Sequence, residues 1–337
     1  MRALFLAIPL LLTACLTQAA QKPLQIYFID VEGGQSTLFV TPAGQSLLVD
    51  TGWGYHAYRD ANRIAAAAKR AKIKKIDYVI ITHYHADHVG GVPQLVAKIP
   101  VETFVDHGPD RETSKQAQTL YSDYEKAIAG KNHILAKPGE TIPIKGMDVV
   151  IVSADGNVID KPLPGAGQPN PFCAGVQQKP ADPTENARSV GVVMTFGKLR
   201  IVDLGDLTWN KELELMCPDN KLGKADIFVV SHHGTDLSNS PALVHGLQPR
   251  VAIMDNGAKK GASPSAWDVV KSSPGLEGFW QLHFADAGGS EHNTQDPYIA
   301  NVSDDDTGFY LKVTAYQDGR IEVYNPRNKF EKQYGGK

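Results

Sequence analysis

Within six residues, Ile81-Thr82-His83-Tyr84-His85-Ala86-Asp87-His88-Val89-Gly90-Gly91 gathers three imidazoles and a carboxylate directly behind an apolar run. Imidazole and carboxylate are the donors that zinc and related divalent ions prefer. Two residues apart on an extended chain, His83 and His85 point to one side. Asp87 and His88 follow where the chain turns, so they can face a second ion. The glycine pair permits the sharp turn into a helix. A solvated cluster formed by chance would leave these polar groups at a strand end still needing partners.

Two later pieces have the same character. Asp206 closes LRIVDLGD (199–206), and His232-His233 close ADIFVVSHHG (225–234). All three clusters stand at the ends of apolar strands, where layered α/β sheets commonly carry their sites. A carboxylate between two divalent ions offsets their repulsion and can bridge them. That is the equipment of two-metal hydrolysis, in which one ion polarises the substrate and both acidify a bridging water.

The elements that must hold these residues follow from periodicity. LQIYFIDV (24–31), STLFV (36–40), QSLLVDTG (45–52), IDYVIIT (76–82) and VETFVDHG (101–108) read as strands. So do SVGVVMTF (189–196) and VAIMDN (251–256), while 140–156 and 307–325 read as hairpins. Helices are expected over 55–73, 91–99, 111–129, 208–216, 241–247 and 265–273, the first with a packing face of alanines. Strands lead and helices are interspersed, which predicts layered sheets with helices outside. Between 161 and 185 the chain is loop-like and proline-rich, and a loop of this length is commonly functional or disordered. It is the natural place for specificity over the cleft.

The chain has 337 residues, 42% of them hydrophobic, enough for a substantial core, and a formal net charge of −3. Bulk charge gives no argument for a nucleic-acid or anionic-membrane partner. A local patch from Lys69, Arg70, Lys72, Lys74 and Lys75 leaves nucleic acid open, though an exposed helix face accounts for it equally. Residues 1–20 have the three-part plan of a secretory signal and are too short to span a membrane. A cut after Ala19 or Ala20 and a lipoprotein-type cut before Cys15 are both open; lipidation there is the one membrane contact expected. Export to a periplasmic, secreted or lipid-anchored location follows. Cys173 and Cys217 then either pair in an oxidising compartment or remain two separate buried thiols.

These motifs resemble those of the metallo-β-lactamase superfamily, whose HxHxDH stands here as His83 to His88. Asp30-Val31-Glu32-Gly33-Gly34-Gln35-Ser36, Val49-Asp50-Thr51-Gly52, Leu204-Gly205-Asp206 and Ser231-His232-His233-Gly234 are similar to the metallo domain of DNA-uptake competence proteins and to secreted phosphorylcholine esterases. The resemblance covers roughly residues 24–260. It implies a four-layer αββα sandwich over 24–325, carrying two divalent ions, zinc or manganese. One ion would be held by His83, His85 and Asp206. The other would be held by Asp87, His88, Asp206 and one of the 232–233 pair, with His233 the preferred ligand and His232 a substrate or proton-transfer group. Asp87 also fits the holding of the nucleophilic water, and Asp50 the orienting of a ligand histidine. Hydrolysis of a phosphodiester-type bond by a metal-bridged hydroxide is the implied activity. Hydrolysis of a carbon ester, lactone or β-lactam, or metal-retaining binding without turnover, are the alternatives.

The sequence departs from the wider superfamily at one ligand. A further histidine is commonly found at a strand end that here reads Val152-Ser153-Ala154-Asp155-Gly156. The competence-type branch lacks it too. His107 is a candidate to replace it; His283 and His292 are candidates for substrate contact. Glu32 stands where the branch has glycine, which questions a close backbone approach at that point.

Overall fold

The computed structural model describes residues 22–303 and 308–335. The signal segment and Cys15 lie outside the described residues. Two mixed sheets stack face to face. The first runs in the order Phe330–Tyr334, Ile321–Asn325, Leu311–Ala315, Leu24–Phe28, Thr37–Val40, Ser46–Val49, Ile76–Ile80, Val101–Asp106, Asn132–Leu135. The second runs Ile299–Asn301, Gly278–His283, Val251–Met254, Ile227–Val229, Leu199–Asp203, Gly191–Phe196, Asp148–Ala154, Asn157–Val158.

Three apolar layers separate four structural ones. Phe28, Phe39, Met194 and Trp280 fill the space between the sheets. Outside the first sheet, Ile64, Ala67, Leu95 and Tyr124 bury the inner faces of helices Arg59–Arg70, Val92–Val96 and Lys115–Ile128. Outside the second, Leu213, Leu243 and Val270 do so for Trp209–Met216, Pro241–Leu247 and Pro264–Lys271. This is the αββα sandwich. Strands covered on both faces read as near-continuous apolar runs rather than alternating ones, as IDYVI and VAIM do.

Each sheet has an antiparallel half and a parallel half. Ser46–Val49, Ile76–Ile80, Val101–Asp106 and Asn132–Leu135 are mutually parallel in the first. Leu199–Asp203, Ile227–Val229, Val251–Met254, Gly278–His283 and Ile299–Asn301 are parallel in the second. Parallel strands deliver their C-terminal ends to one edge. Asp50, His83, Asp206, His232, His233 and Asp255 all lie just past such ends.

Several expected boundaries move. The first helix begins at Arg59 rather than 55, because His56, Ala57 and Tyr58 have left-handed φ of 64°, 50° and 67°. Of the hairpin expected over 140–156, residues 148–154 form a strand; Thr141 adds a single bridge to Val150. A further strand, Phe330–Tyr334, extends the first sheet beyond residue 325.

The 161–185 segment is built in rather than draped over the cleft. Asn170 Nδ2 donates to the carbonyls of Met216 and Ala242, and Trp209 Nε1 donates to the Gln177 carbonyl. A disulfide joins Cys173 to Cys217. The alternative of two separate thiols is therefore set aside. This part of the segment packs on the outer helices, and its far end, at Glu185, approaches the metal-type cluster.

Candidate metal centre

Asp50 organises the centre from behind. It sits at φ 58° after strand Ser46–Val49 and is fully buried. Its Oδ1 accepts from the Thr82 amide at 2.8 Å. Its Oδ2 accepts from Thr82 Oγ1 and from His88 Nδ1, each at 2.7 Å. Since Thr82 spends its proton on Asp50, its oxygen accepts from His83 Nδ1 at 3.0 Å. One carboxylate thus fixes two imidazoles. Burial raises its pKa, opposed by the charge of His88.

The rings of His85 and His232 are fixed by the same logic. His85 Nε2 lies 3.0 Å from Glu112 Oε1. Ser238 donates to the Leu207 carbonyl, so its oxygen accepts from His232 Nδ1 at 3.2 Å. Asp255 Oδ1 stands 3.4 Å from His233 Nδ1. Each histidine therefore has its outer nitrogen facing an acceptor, and its inner nitrogen turned toward the others.

The inner nitrogens face one another. His83 Nε2 and His85 Nδ1 are 3.1 Å apart, and His88 Nε2 and His233 Nε2 are 3.2 Å apart. Two lone pairs at that separation need a cation between them, either a proton or a metal ion. Asp206 closes the gap between the pairs. Its Oδ2 is 3.3 Å from His88 Nε2, 3.3 Å from His232 Nε2 and 3.9 Å from His83 Nε2. Its Oδ1 is buried without a hydrogen-bond donor, 3.5 Å from His233 Nε2. Asp87 Oδ2 adds a further oxygen, 3.3 Å from His88 Nε2 and 3.2 Å from His233 Nε2. One donor atom each from Asp87, His88, Asp206 and His233 falls within a 4.8 Å sphere of mutual separations. The residues present fit a divalent ion, and the orphaned Asp206 oxygen and the opposed imidazoles are what an ion would satisfy.

Electrostatics follow from burial and crowding. Burial alone would raise Asp87 and Asp206. The surrounding imidazoles outweigh it and hold both carboxyls well below the usual range. Burial would lower His233, but Asp206 outweighs it and pushes the ring up to about 10. His88 is raised by Asp206, Asp87 and Asp50 against its burial. Burial and the charge of His88 hold His83 well below its ordinary value. Burial likewise lowers His232.

Of the remaining sequence candidates, His107 and His292 are not brought to the donor atoms. His107 Nε2 is committed to Glu185 Oε2 at 2.7 Å. His292 packs edge-on against Trp267 and lies 3.5 Å from Asp268, on an outer helix. Where the wider superfamily has its extra histidine, Asp155 pairs instead with Arg111 and Arg188. His283 reaches the vicinity: it is bonded to Asp30 at 2.7 Å and borders a cavity of about 300 Å³ with Glu32, Trp53 and Lys260. The close approach questioned at Glu32 is made there, since a Cβ on Gly257 would lie 2.8 Å from the Glu32 carbonyl carbon, and again two residues later. A Cβ on Gly34 would lie 2.4 Å from the Asp87 carbonyl.

Four contributors escaped sequence reasoning. Asp255 carried a usable signal, since it ends an apolar strand as Asp50 and Asp206 do. Glu112, Ser238 and Lys260 sit in connecting segments without any pattern.

Residues 30–168 match the family Metallo-beta-lactamase superfamily, and the αββα fold and the histidine–aspartate donor set agree with that match. The chain is similar to ComE operon protein 3 of Bacillus subtilis, 24% identical over 246 residues, covering 69% of this chain and 28% of that protein. It is also similar to hydroxyacylglutathione hydrolase of Cronobacter sakazakii, 35% identical over 101 residues, covering 29% of this chain and 36% of that one. The chain thus spans well under two thirds of either relative. Among solved structures, the metallo-beta-lactamase fold protein YhfI from Bacillus subtilis aligns over 86% of this chain and 99% of its own, at 14% identity and a TM-score of 0.46.

Proposed function

We propose that the protein is an exported dinuclear hydrolase of phosphodiester-type bonds. The observation that carries this reading is Asp206, a buried carboxylate lodged among His83, His88, His232 and His233 with one oxygen unpaired. Two divalent ions bound at such a cluster supply Lewis acidity and lower the pKa of bound water. His83 and His85 serve one half of the site. Asp87, His88 and His233 serve the other, and Asp206 serves both. His232, whose Nδ1 is held by Ser238 and whose Nε2 faces Asp206 Oδ2, is assigned here to the first half, in place of the absent strand-end histidine. Asp50, Thr82, Glu112 and Ser238 hold the rings in register. Zinc is the ion favoured by a mostly imidazole donor set, with manganese the second choice.

The similarity to ComE operon protein 3 over most of this chain supports the competence-type branch from whose resemblance the phosphodiester reading comes. Export rests on residues 1–20, and a lipid anchor at Cys15 would give the membrane contact. A second reading, acyl hydrolysis at the same centre, is supported by the shorter similarity to hydroxyacylglutathione hydrolase. A substrate panel separates them. The metal-loaded protein should turn over bis(p-nitrophenyl) phosphate in preference to a glutathione thioester and a chromogenic cephalosporin. The reverse preference would replace the first reading by the second.

A further inference from the structure

Lys260 is placed with unusual care for a surface lysine. Its loop joins strand Val251–Met254 to helix Pro264–Lys271. The Lys260 carbonyl accepts from the Gly257 amide at 2.9 Å, and Ala262 donates to the His233 carbonyl at 2.8 Å. Glycines allow the fit on both sides. A Cβ on Gly33 would lie 2.8 Å from Lys260 Cβ, and one on Gly261 would lie 2.1 Å from the His233 carbonyl. The base of Lys260 is thus wedged between the opening loop and the turn that carries His233.

Its ammonium reaches Asp87 Oδ2, the oxygen that also faces His88 and His233. It lies 4.9 Å from the centre of the Trp53 ring, at the border of the 300 Å³ cavity. An ammonium and a metal ion cannot share one carboxylate oxygen without strong repulsion. A four-carbon stem on a fixed base lets the charge swing while staying within reach of the site. The side chain is more than a third exposed, so the swing meets no packed core.

We propose that Lys260 is the counter-cation of Asp87 in the metal-free protein and the contact for the substrate's anionic oxygen in the metal-loaded one. The second half rests on the phosphodiester reading above. In the first state the ammonium screens a buried carboxylate among imidazoles. In the second it turns toward the Trp53 cavity and donates an N–H to a non-bridging phosphoryl oxygen.

Two equilibrium measurements on the full chain test this without turnover. Zinc titration against a chelating competitor should show the more weakly held ion binding about tenfold tighter in Lys260→Met, the size of a charged contact removed. Calorimetry of inorganic phosphate on the zinc-loaded protein should show binding about tenfold weaker in Lys260→Met and restored in Lys260→Arg. Melting curves confirm that each variant is folded, and Lys260→Gln is the substitute if the methionine variant is not. An unchanged zinc affinity, or an unchanged phosphate affinity, in a folded neutral variant overturns the proposal. Because neither readout needs hydrolysis, failure to cleave a phosphodiester would overturn the proposed function and leave the zinc and phosphate results to decide on Lys260.

Discussion

Asp50 touches no position where an ion would sit, yet it fixes His88 directly and His83 through Thr82. Asp50→Asn should therefore weaken metal binding by about 10–100-fold, the usual cost of losing such a partner. Metal content after dialysis against a defined zinc buffer reads this. Full retention of metal would mean that packing alone orients the rings. Protons and ions also compete here. In the metal-free protein His233 is pushed up to about 10 and His88 well above its ordinary value, so at neutral pH the pair holds a proton between its facing Nε2 atoms. An ion must expel it. Apparent affinity therefore falls as pH drops, by about tenfold per unit for each proton displaced. Calorimetry in buffers of different ionisation enthalpy should detect the released proton, and a pH-independent affinity between 6 and 9 would contradict the assignment.

At the level of elements, the glycines that let loops approach are as informative as the ligands. A methyl group on Gly34 would press on the Asp87 carbonyl at 2.4 Å. Gly34→Ala should destabilise by about 1–3 kcal/mol and lower metal content together, since the strained carbonyl belongs to a donor residue. Stability loss with metal content intact would show that the loop relaxes away from the site. The Cys173–Cys217 bridge closes a sequence separation of 44 on the outer helices. Replacing both cysteines by serine should cost about 3–4 kcal/mol and leave metal content unchanged. Denaturant melts and metal analysis check the two halves separately.

The layered architecture and most parallel strands were legible because a strand buried on both faces declares itself as an apolar run. Gly278–His283 was not, because Gln281 interrupts it, and that polar group is satisfied within the fold by Asn293 and Thr294. The cluster was legible because its residues sit in short motifs at strand ends. Glu112, Ser238 and Lys260 were not, since loops bring them in from a distance and sequence spacing carries no trace of that approach. The site position of His107 was overestimated for the converse reason. It follows a strand end as a ligand would, but Glu185 claims its Nε2.

Taken as a whole molecule, the two sheets divide the work. The first supplies Asp50 and the His83–His88 motif; the second supplies Asp206, His232, His233 and Asp255. The centre exists only where the two edges meet, and Gln35 ties them by donating to both oxygens of Asp203 at 2.9 and 2.8 Å. Activity should thus depend on one residue that serves both halves. The decisive measurement is hydrolysis of bis(p-nitrophenyl) phosphate by the protein loaded with zinc or manganese, beside Asp206→Asn. Metal-dependent turnover that the variant loses is the predicted result; two bound ions with no turnover of the diester would contradict it.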